Sequence, residues 1–430
     1  MQWRRRCCEV GPGAPRAAWG VRSSERSTFK LNKGLEITHG KTKALFESPD
    51  QPDVAVMKST DNITAGDGAR RNVIEGKGRL ASQTTARVFR LLNLCGFPTH
   101  YLSGGEDDDD NEILVRRCQM IPLEVVTRGV AAGSYVKRKP AMQRGTLLLP
   151  RVLEFFLKDD ANHDPLIEPE EIVARGIANP GEITAMGEIA RMVFEVLSHA
   201  WRRRDVLLID LKIEFGRLLS GENKGSLVIA DVVDNDAWRL WPQGREDLML
   251  DKQMYRNLKD VTPEALAHVR EAYEKVADAV GSFPQMRSGM VALFAEDQRH
   301  LEAANDAMRH VQGYGLPLGR HVASSALTPG YVVQVVQQLD ATFARLVYLT
   351  SGPPGLHAIV NGATTNPVVD VGTQPPEIAA LSVAKPFSID DTVLFGRVML
   401  TQANMRSALL SLDAQLNAPP QPPPPGAAIA

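Results

Sequence analysis

Leu208-Ile209-Asp210-Leu211-Lys212-Ile213-Glu214-Phe215-Gly216 decides how the first half of this chain is read. Its central residues alternate with the period of a β-strand. Asp210, Lys212 and Glu214 fall on one face, and Leu211, Ile213 and Phe215 on the other. A half-buried strand needs a polar face, but acid, base, acid in succession exceeds what solvation asks for. The pattern suits a site that handles a cation and a charged substrate, although a solvated hairpin face would present the same alternation.

Working outward, Gly221-Glu222-Asn223-Lys224-Gly225 is turn-rich, and Ser226 to Asp231 reads as the return strand of a hairpin. Folding about Glu222 and Asn223 predicts that Asp231 lies roughly opposite Glu214. Facing carboxylates are unfavourable across a sheet unless a cation lies between them, and a hard oxygen pair suits Mg²⁺ carried in with a nucleotide phosphate. On the N-terminal side, Thr184 to Arg204 has one apolar face of Ile189, Met192, Val193, Val196, Leu197 and Ala200 and predicts a helix. Thr262-Pro263-Glu264 opens a second helical stretch to about Ser282, expected to connect two domains.

Bulk properties narrow the classes. The chain has 430 residues, room for two cores, with 49 Lys+Arg against 51 Asp+Glu, so no polyanion-binding face and no nucleic-acid partner are implied. No apolar run approaches membrane-spanning length. The cysteines are Cys7, Cys8, Cys95 and Cys118, without metal-ligand spacing and a poor disulfide framework, which fits a reducing compartment. Residues 1–30 carry Arg4, Arg5, Arg6, Arg16, Arg22, Arg26 and Lys30 against Glu9 and Glu25, the composition of a disordered extension or an organelle transit peptide. The Pro-rich residues 415–430 read as a disordered tail, and Glu106 to Asp110 as a solvated acidic loop tip.

Several other segments are dense in chemistry. His39-Gly40-Lys41-Thr42-Lys43 lacks the earlier glycine of a P-loop and leads into a strand, so it reads as a hairpin turn whose lysines either cover phosphates or face solvent. In Met120 to Ser134, Arg128 and Ser134 flank a short apolar segment with Gly129 and Gly133, the parts of a phosphate-monoester pocket. Phe156 to Pro165 packs Lys158, Asp159, Asp160, His163 and Asp164 into one loop. Asp231 to Pro242 adds Asp234, Asp236 and Arg239 directly after the hairpin.

Taken together, these segments resemble SAICAR synthetase, the phosphoribosylaminoimidazole-succinocarboxamide synthase family of purine biosynthesis. The resemblance runs from about Leu31 to Lys259, and Met120–Ser134 and Leu208–Gly216 are its most specific motifs. Gly40–Lys43, Asp61–Gly66, Lys158–Pro165 and Asp231–Pro242 follow in the family's order, and Trp238–Pro242 with Asp251–Lys259 look like the animal bifunctional form. The resemblance implies a cytoplasmic ATP-dependent ligase that activates the carboxylate of the ribonucleotide CAIR, as an acyl phosphate, for attack by L-aspartate, releasing ADP and phosphate. It implies that Lys41 and Lys43 hold ATP phosphates, that Lys212 lies near the transferred phosphoryl group, and that Glu214 and Asp231 hold Mg²⁺. Arg128, Ser134 and Arg239 would clamp the 5′-phosphate. Gln119 and Met120 would lie along the adenine, with Asp210 in the ATP pocket. Lys158, Asp164 and Asp236 would line the substrate side, and the Asp61 loop would border the carboxylates.

The implied architecture is α/β and α+β: a two-lobed ATP-binding domain over residues 31–262, a connecting helix over 263–286, and a three-layer, parallel-sheet, flavodoxin-like domain over 287–414 that resembles AIR carboxylase. The latter family's site pattern is missing. Its Gly-Ser-x-Ser-Asp loop stands here as Phe294-Ala295-Glu296-Asp297, and its Ser-Ala-His-Lys as Ser325-Ala326-Leu327-Thr328. Its Gly-Arg-Ser-Asn-Gly-Leu-Gly is Ser351-Gly352-Pro353-Pro354-Gly355-Leu356-His357. An acid in place of a phosphate-binding Ser repels a ribonucleotide, and loss of the His removes a proton carrier. The expectation is a domain that kept its core, lost its chemistry and serves assembly in a homo-oligomer, octameric if the family pattern holds. A fully bifunctional enzyme and a wholly non-catalytic scaffold are the alternatives.

Overall fold

The computed structural model describes residues 33–66, 68–106, 111–283, 290–295, 305–316, 318–322, 346–352, 355–360, 369–373 and 375–416. Residues 1–30 of the Arg-rich leader, Asp107 to Asp110, Glu296-Asp297, Ser325–Thr328 and residues 417–430 of the Pro-rich tail lie outside the described residues, while residues 415 and 416 end a helix.

The first half is built on two antiparallel sheets. One has the order β1-β2-β3-β7-β6: β1 (Glu36–His39), β2 (Lys43–Glu47), β3 (Val54–Ser59), β7 (Glu112–Arg116) and β6 (Tyr101–Gly104). Helix α1 (Lys77–Cys95) covers it with Val88, Phe89, Leu91 and Leu92, all fully buried. A two-stranded ribbon of β4 (Asn62–Ala65) and β5 (Arg70–Val73) precedes α1. The second sheet runs β11-β10-β8-β9, with β12 also paired to β10. Its strands are β8 (Cys118–Val130), β9 (Leu147–Leu157), β10 (Val206–Leu218), β11 (Leu227–Ala230) and β12 (Trp238–Pro242).

The quoted stretch is the middle of β10 and behaves as its alternation requires. Leu211, Ile213 and Phe215 are each 1% exposed and belong to the main core. Against that face lies α4 (Pro180–Arg202). It starts four residues before the expected Thr184, because Asn179 and Glu182 close a capping box and Pro180 sits in the first turn. Trp201 packs edge-on against Trp238 and Phe283, at 5.5 and 4.9 Å between ring centres. Burying each such ring contributes about 2–3 kcal/mol.

The hairpin register differs from expectation by one residue. Glu214 pairs with Ala230, and Asp231 stands just past the end of β11 with φ 66°. The return begins at Leu227 after the loop from Leu219 to Ser226, so the symmetry centre falls on Glu222 rather than between Glu222 and Asn223. The residue facing Glu214 across the ladder is Glu124, on β8.

Short helices α2 (Gly133–Arg138), α3 (Pro169–Ala174) and α5 (Gln253–Asn257) complete this half, together with α6 (Pro263–Gly281). The helix expected to connect two domains, α6, packs along α1 and buries Val269, Tyr273, Val276 and Val280.

In the second half, β13 (Met290–Ala295), β14 (Leu318–Val322), β15 (Leu346–Gly352), β16 (Gly355–Val360) and β17 (Val369–Thr373) form a sheet of order β14-β13-β15-β16-β17. The expected all-parallel sheet is corrected here. β13 runs parallel to β14 and β15, but β15, β16 and β17 are mutually antiparallel. Only two residues separate β15 from β16, whereas a parallel pair needs a crossover of roughly a dozen or more. The helices are α7 (Asn305–Gly313), α8 (Pro376–Ser388) and α9 (Thr392–Leu416).

Helix α9 belongs to both halves. Val393 is part of the main core, with Phe395, Met399 and Leu400 packed on it, while Leu394 and Val398 lie in a second core with Val311, Tyr314 and Phe387. His199 of α4 meets the Thr392 hydroxyl at 2.9 Å and the Ile389 carbonyl at 3.0 Å, and stacks on Phe395 at 4.5 Å. Arg203 pairs with Asp390, and Arg397 donates to the carbonyls of Leu94 and Tyr314. Close approach depends on Gly396: a Cβ there would stand 2.5 Å from Sγ and 2.7 Å from Cβ of Cys95 on α1. Gly396→Val is therefore expected to lower stability by about 1–3 kcal/mol through overpacking, read as a depressed thermal midpoint by circular dichroism. Burial also pushes the Cys95 thiol up to about 12, so it is expected to resist iodoacetamide at pH 8 until the chain is denatured, as site-resolved mass spectrometry would show. Among the described residues no helix is long and apolar enough to cross a membrane.

Candidate active site

Around the polar face of β10 lie three neighbouring groups of charges, supplied by β2, β8, β9 and β12, by the segments that follow β9, β11 and β12, and by α1 and α6.

The central group surrounds Lys212. Its Nζ lies 2.9 Å from Glu124 and 2.9 Å from Glu214. The other oxygen of Glu214, whose side chain is 2% exposed, accepts from Lys158 Nζ at 2.6 Å. Lys158 sits just beyond β9, its amide donating to the Pro122 carbonyl. Asp231 pairs with Lys43, at the start of β2. Burial alone would raise the Asp231 carboxyl, but the ammonium groups of Lys43, Lys212 and Lys158 outweigh it and hold the carboxyl well below the usual range. Burial likewise opposes charge on Lys212, yet Glu214, Glu124 and Asp231 hold it well above the ordinary lysine value. At the rim, Lys41 pairs with Asp160 at 2.8 Å.

The second group surrounds Asp210, 5% exposed. Arg128 donates to it at 2.9 Å, and Arg239 pairs with the same oxygen. Arg128 also donates to Glu154 at 2.6 Å and lies 3.4 Å from the Ser134 hydroxyl. Gly133, at φ 55°, leaves the space the Arg239 guanidinium occupies: a Cβ would come within 2.5–2.8 Å of it. The structure thus puts the expected phosphate-clamp residues Arg128, Ser134 and Arg239 together, and places Asp210 with them.

The third group surrounds Asp236. It accepts from Lys252 at 2.6 Å and from the Tyr273 hydroxyl at 2.7 Å. Lys77, 1% exposed at the start of α1, lies 5.2 Å from the Tyr273 ring centre. Burial raises the Asp236 carboxyl, but Lys77 and Lys252 outweigh it and hold it well below the ordinary value. Asp251, which accepts from the Leu240 and Gln253 amides, is pushed by burial up to about 6. Asp61 accepts from the Gly78 amide at 2.8 Å and so caps the helix that carries Lys77. Asp164 accepts from the Asp159 amide at 2.8 Å, bracing the loop behind Lys158.

Gln119 and Met120 are exposed, at the start of β8. Because Met120 pairs with Gly216, Glu124 with Glu214 and Arg128 with Asp210, the strand sets out three stations four residues apart. The spacing is uneven across the ladder: the register shifts between Glu214 and Gly216, so the four-residue step from Met120 to Glu124 faces only two residues of β10.

Glu124, Lys77, Lys252 and Tyr273 are site residues that the sequence reading did not single out. Glu124 and Lys252 lie inside segments quoted for other residues, and the β8 register would have exposed Glu124. Tyr273 reaches the site only through the packing of α6, which leaves no local signal.

Among the described residues, no group of three or more His, Cys, Asp or Glu is arranged to hold a metal ion. Glu214 and Asp231 offer two hard carboxylates facing the same lysines, Lys158 and Lys212. That set fits Mg²⁺, which is commonly held by one or two carboxylates plus substrate phosphates.

A family model described as SAICAR synthetase matches residues 36–277. The phosphoribosylaminoimidazole-succinocarboxamide synthase of Roseiflexus castenholzii is 51% identical over 247 residues, 57% of this chain and 96% of that one. The bifunctional phosphoribosylaminoimidazole carboxylase/phosphoribosylaminoimidazole succinocarboxamide synthetase of Drosophila melanogaster is 35% identical over 353 residues, 80% of each chain. A solved structure of SAICAR synthetase (Type-2) in complex with ADP is 32% identical, covers 56% of this chain and 96% of that one, and superposes with a TM-score of 0.50.

Proposed function

The chain belongs to the SAICAR synthetase family, and we propose on that premise how its own residues carry the reaction. It is an ATP-dependent ligase that joins the CAIR carboxylate to the amine of L-aspartate. The observation that carries the residue assignment is the order of stations along β8 and β10: an exposed apolar end at Met120, a lysine and carboxylate centre at Glu124, Lys212 and Glu214, and paired arginines at Arg128 and Arg239. Adenine, polyphosphate and the 5′-phosphate of the ribonucleotide fit these stations in that order.

In this reading Lys41 and Lys43 hold the ATP phosphates at the β1–β2 turn. Lys212 lies beside the transferred phosphoryl group, and Glu214 and Asp231 hold Mg²⁺. When bound, that ion neutralises charge on the phosphoryl oxygens. A CAIR carboxylate oxygen attacks the terminal phosphorus and ADP departs. The aspartate amine then attacks the acyl carbon, the bond to phosphate breaks, and the proton the amine gives up on becoming an amide leaves with the phosphate. Arg128, Ser134 and Arg239 hold the 5′-phosphate, so the ribonucleotide is fixed while its carboxylate reacts. Asp236, kept ionised by Lys77 and Lys252, is a weak base, and its part is to orient the substrate with Asp164 and Lys158. Asp61 supports this side through the start of α1.

The second half is a carboxylase-like unit without its site loops, and the Drosophila relative's similarity over 353 residues supports that ancestry. Its part in this reading is assembly of a homo-oligomer. The test is ADP release with Mg-ATP, CAIR and L-aspartate, beside a second reaction in which AIR and bicarbonate replace CAIR. Turnover with CAIR alone is expected. Turnover with both would restore the carboxylase, and turnover with neither would leave only a scaffold.

A further inference from the structure

Glu124 and Glu214 face each other across the β8–β10 ladder, an arrangement that is unfavourable for two carboxylates by themselves. Lys212 lies between them, with its ammonium 2.9 Å from each. Both oxygens of Glu214 are thus occupied by lysines, one by Lys212 and the other by Lys158. Each oxygen keeps a further lone pair, but two ammonium groups on one carboxylate repel an approaching cation and weaken its hold, so binding is favoured when at least one ammonium lets go. Lys158 has a 42% exposed side chain on a loop and can turn to solvent or substrate. Lys212 is fixed on the pleat of β10, and a charge held there needs another carboxylate. Glu124 is already at hydrogen-bond distance, so the ammonium can exchange one partner for the other without moving its stem.

We propose that Glu124 is a positioning residue that retains Lys212 when Glu214 turns to the metal ion, keeping the ammonium beside the transferred phosphoryl group. The inference rests on the ligand roles given above to Glu214 and Asp231. Without Glu124, the only carboxylate among the described residues in hydrogen-bond contact with Lys212 is the one the cation needs, and metal and lysine compete for it.

The test is Mn²⁺ binding in the presence of ADP, followed by electron paramagnetic resonance, in the full chain and in Glu124→Gln, Lys212→Met and the double variant. Glu124→Gln is expected to weaken Mn²⁺ binding about tenfold, equivalent to about 1.4 kcal/mol. In the Lys212→Met background the same change is expected to cost less than twofold, since the competitor is gone. Half-saturation of turnover by Mg²⁺ should rise by a similar factor in Glu124→Gln, with the KM for CAIR unchanged at saturating Mg²⁺. An equal loss in both backgrounds would mean that Glu124 acts on the cation directly and would overturn the proposal, as would no loss in either. Absence of ADP-dependent Mn²⁺ binding in the unaltered chain would instead remove the metal assignment itself, and the proposal with it. Should Glu124→Gln not fold, Glu124→Asp in the same cycle is expected to give a smaller loss with the same dependence on Lys212.

Discussion

Glu214→Gln is expected to lower kcat by at least about 10³-fold while the fold stands. The carboxylate is buried, bound by Lys158 and Lys212, and one of two proposed to face the metal. Glutamine keeps the shape and one acceptor oxygen but no charge, so it cannot offset the lysines and is a much weaker ligand for the hard cation that neutralises the transferred phosphoryl group. Loss of one preorganised electrostatic element costs on the order of 10²–10³ in rate, and here two interactions fall together. Steady-state ADP release beside a thermal melt is the measurement. Turnover within tenfold of the unaltered enzyme would mean that the metal is held elsewhere.

The second large effect is expected on binding. Asp210→Asn is expected to raise the KM for CAIR by roughly 10–100-fold with the KM for ATP within about threefold. Asp210 shares one oxygen between Arg128 and Arg239, and each charge-assisted bond is worth about 1.5–3 kcal/mol. Arg128 keeps Glu154, so its guanidinium stays near its place, whereas Arg239 loses its anchor and the clamp opens on one side. If the KM for ATP rose instead, Asp210 would belong to the nucleotide triphosphate, as the family resemblance had implied, and the three stations would have to be reassigned.

Much of the site can be read from residues close together in sequence. Period-two alternation placed Asp210, Lys212 and Glu214 on one face, and the buried opposite face agrees. The lysine turn before β2 and the Arg128–Ser134 segment were also recognisable, because a strand or turn fixes their direction locally. Register was harder. A one-residue difference in the centre of the Leu219–Ser226 loop moves Asp231 off its expected partner, and the separate register of β8 on the other edge of β10 sets Glu124 opposite Glu214. The third group was least legible. Lys77 starts one helix, Tyr273 lies in the middle of another, and only the packing of α1 on α6 joins them to Asp236. In the second half, the resemblance implies a parallel sheet, and the strand at Gly355–Val360, two residues after β15, is what forces an antiparallel return.

One helix shared by two hydrophobic cores also has a consequence for how this chain can be divided. Cutting between α6 and β13 would strip Val393, Phe395, Met399 and Leu400 from the ligase and uncover the α1–α4 groove they fill. The half released in this way would display an apolar strip prone to association. The last helix therefore makes the two halves unequal in what they tolerate: a substitution confined to the loops of the second half leaves the first core closed, whereas deleting that half opens it.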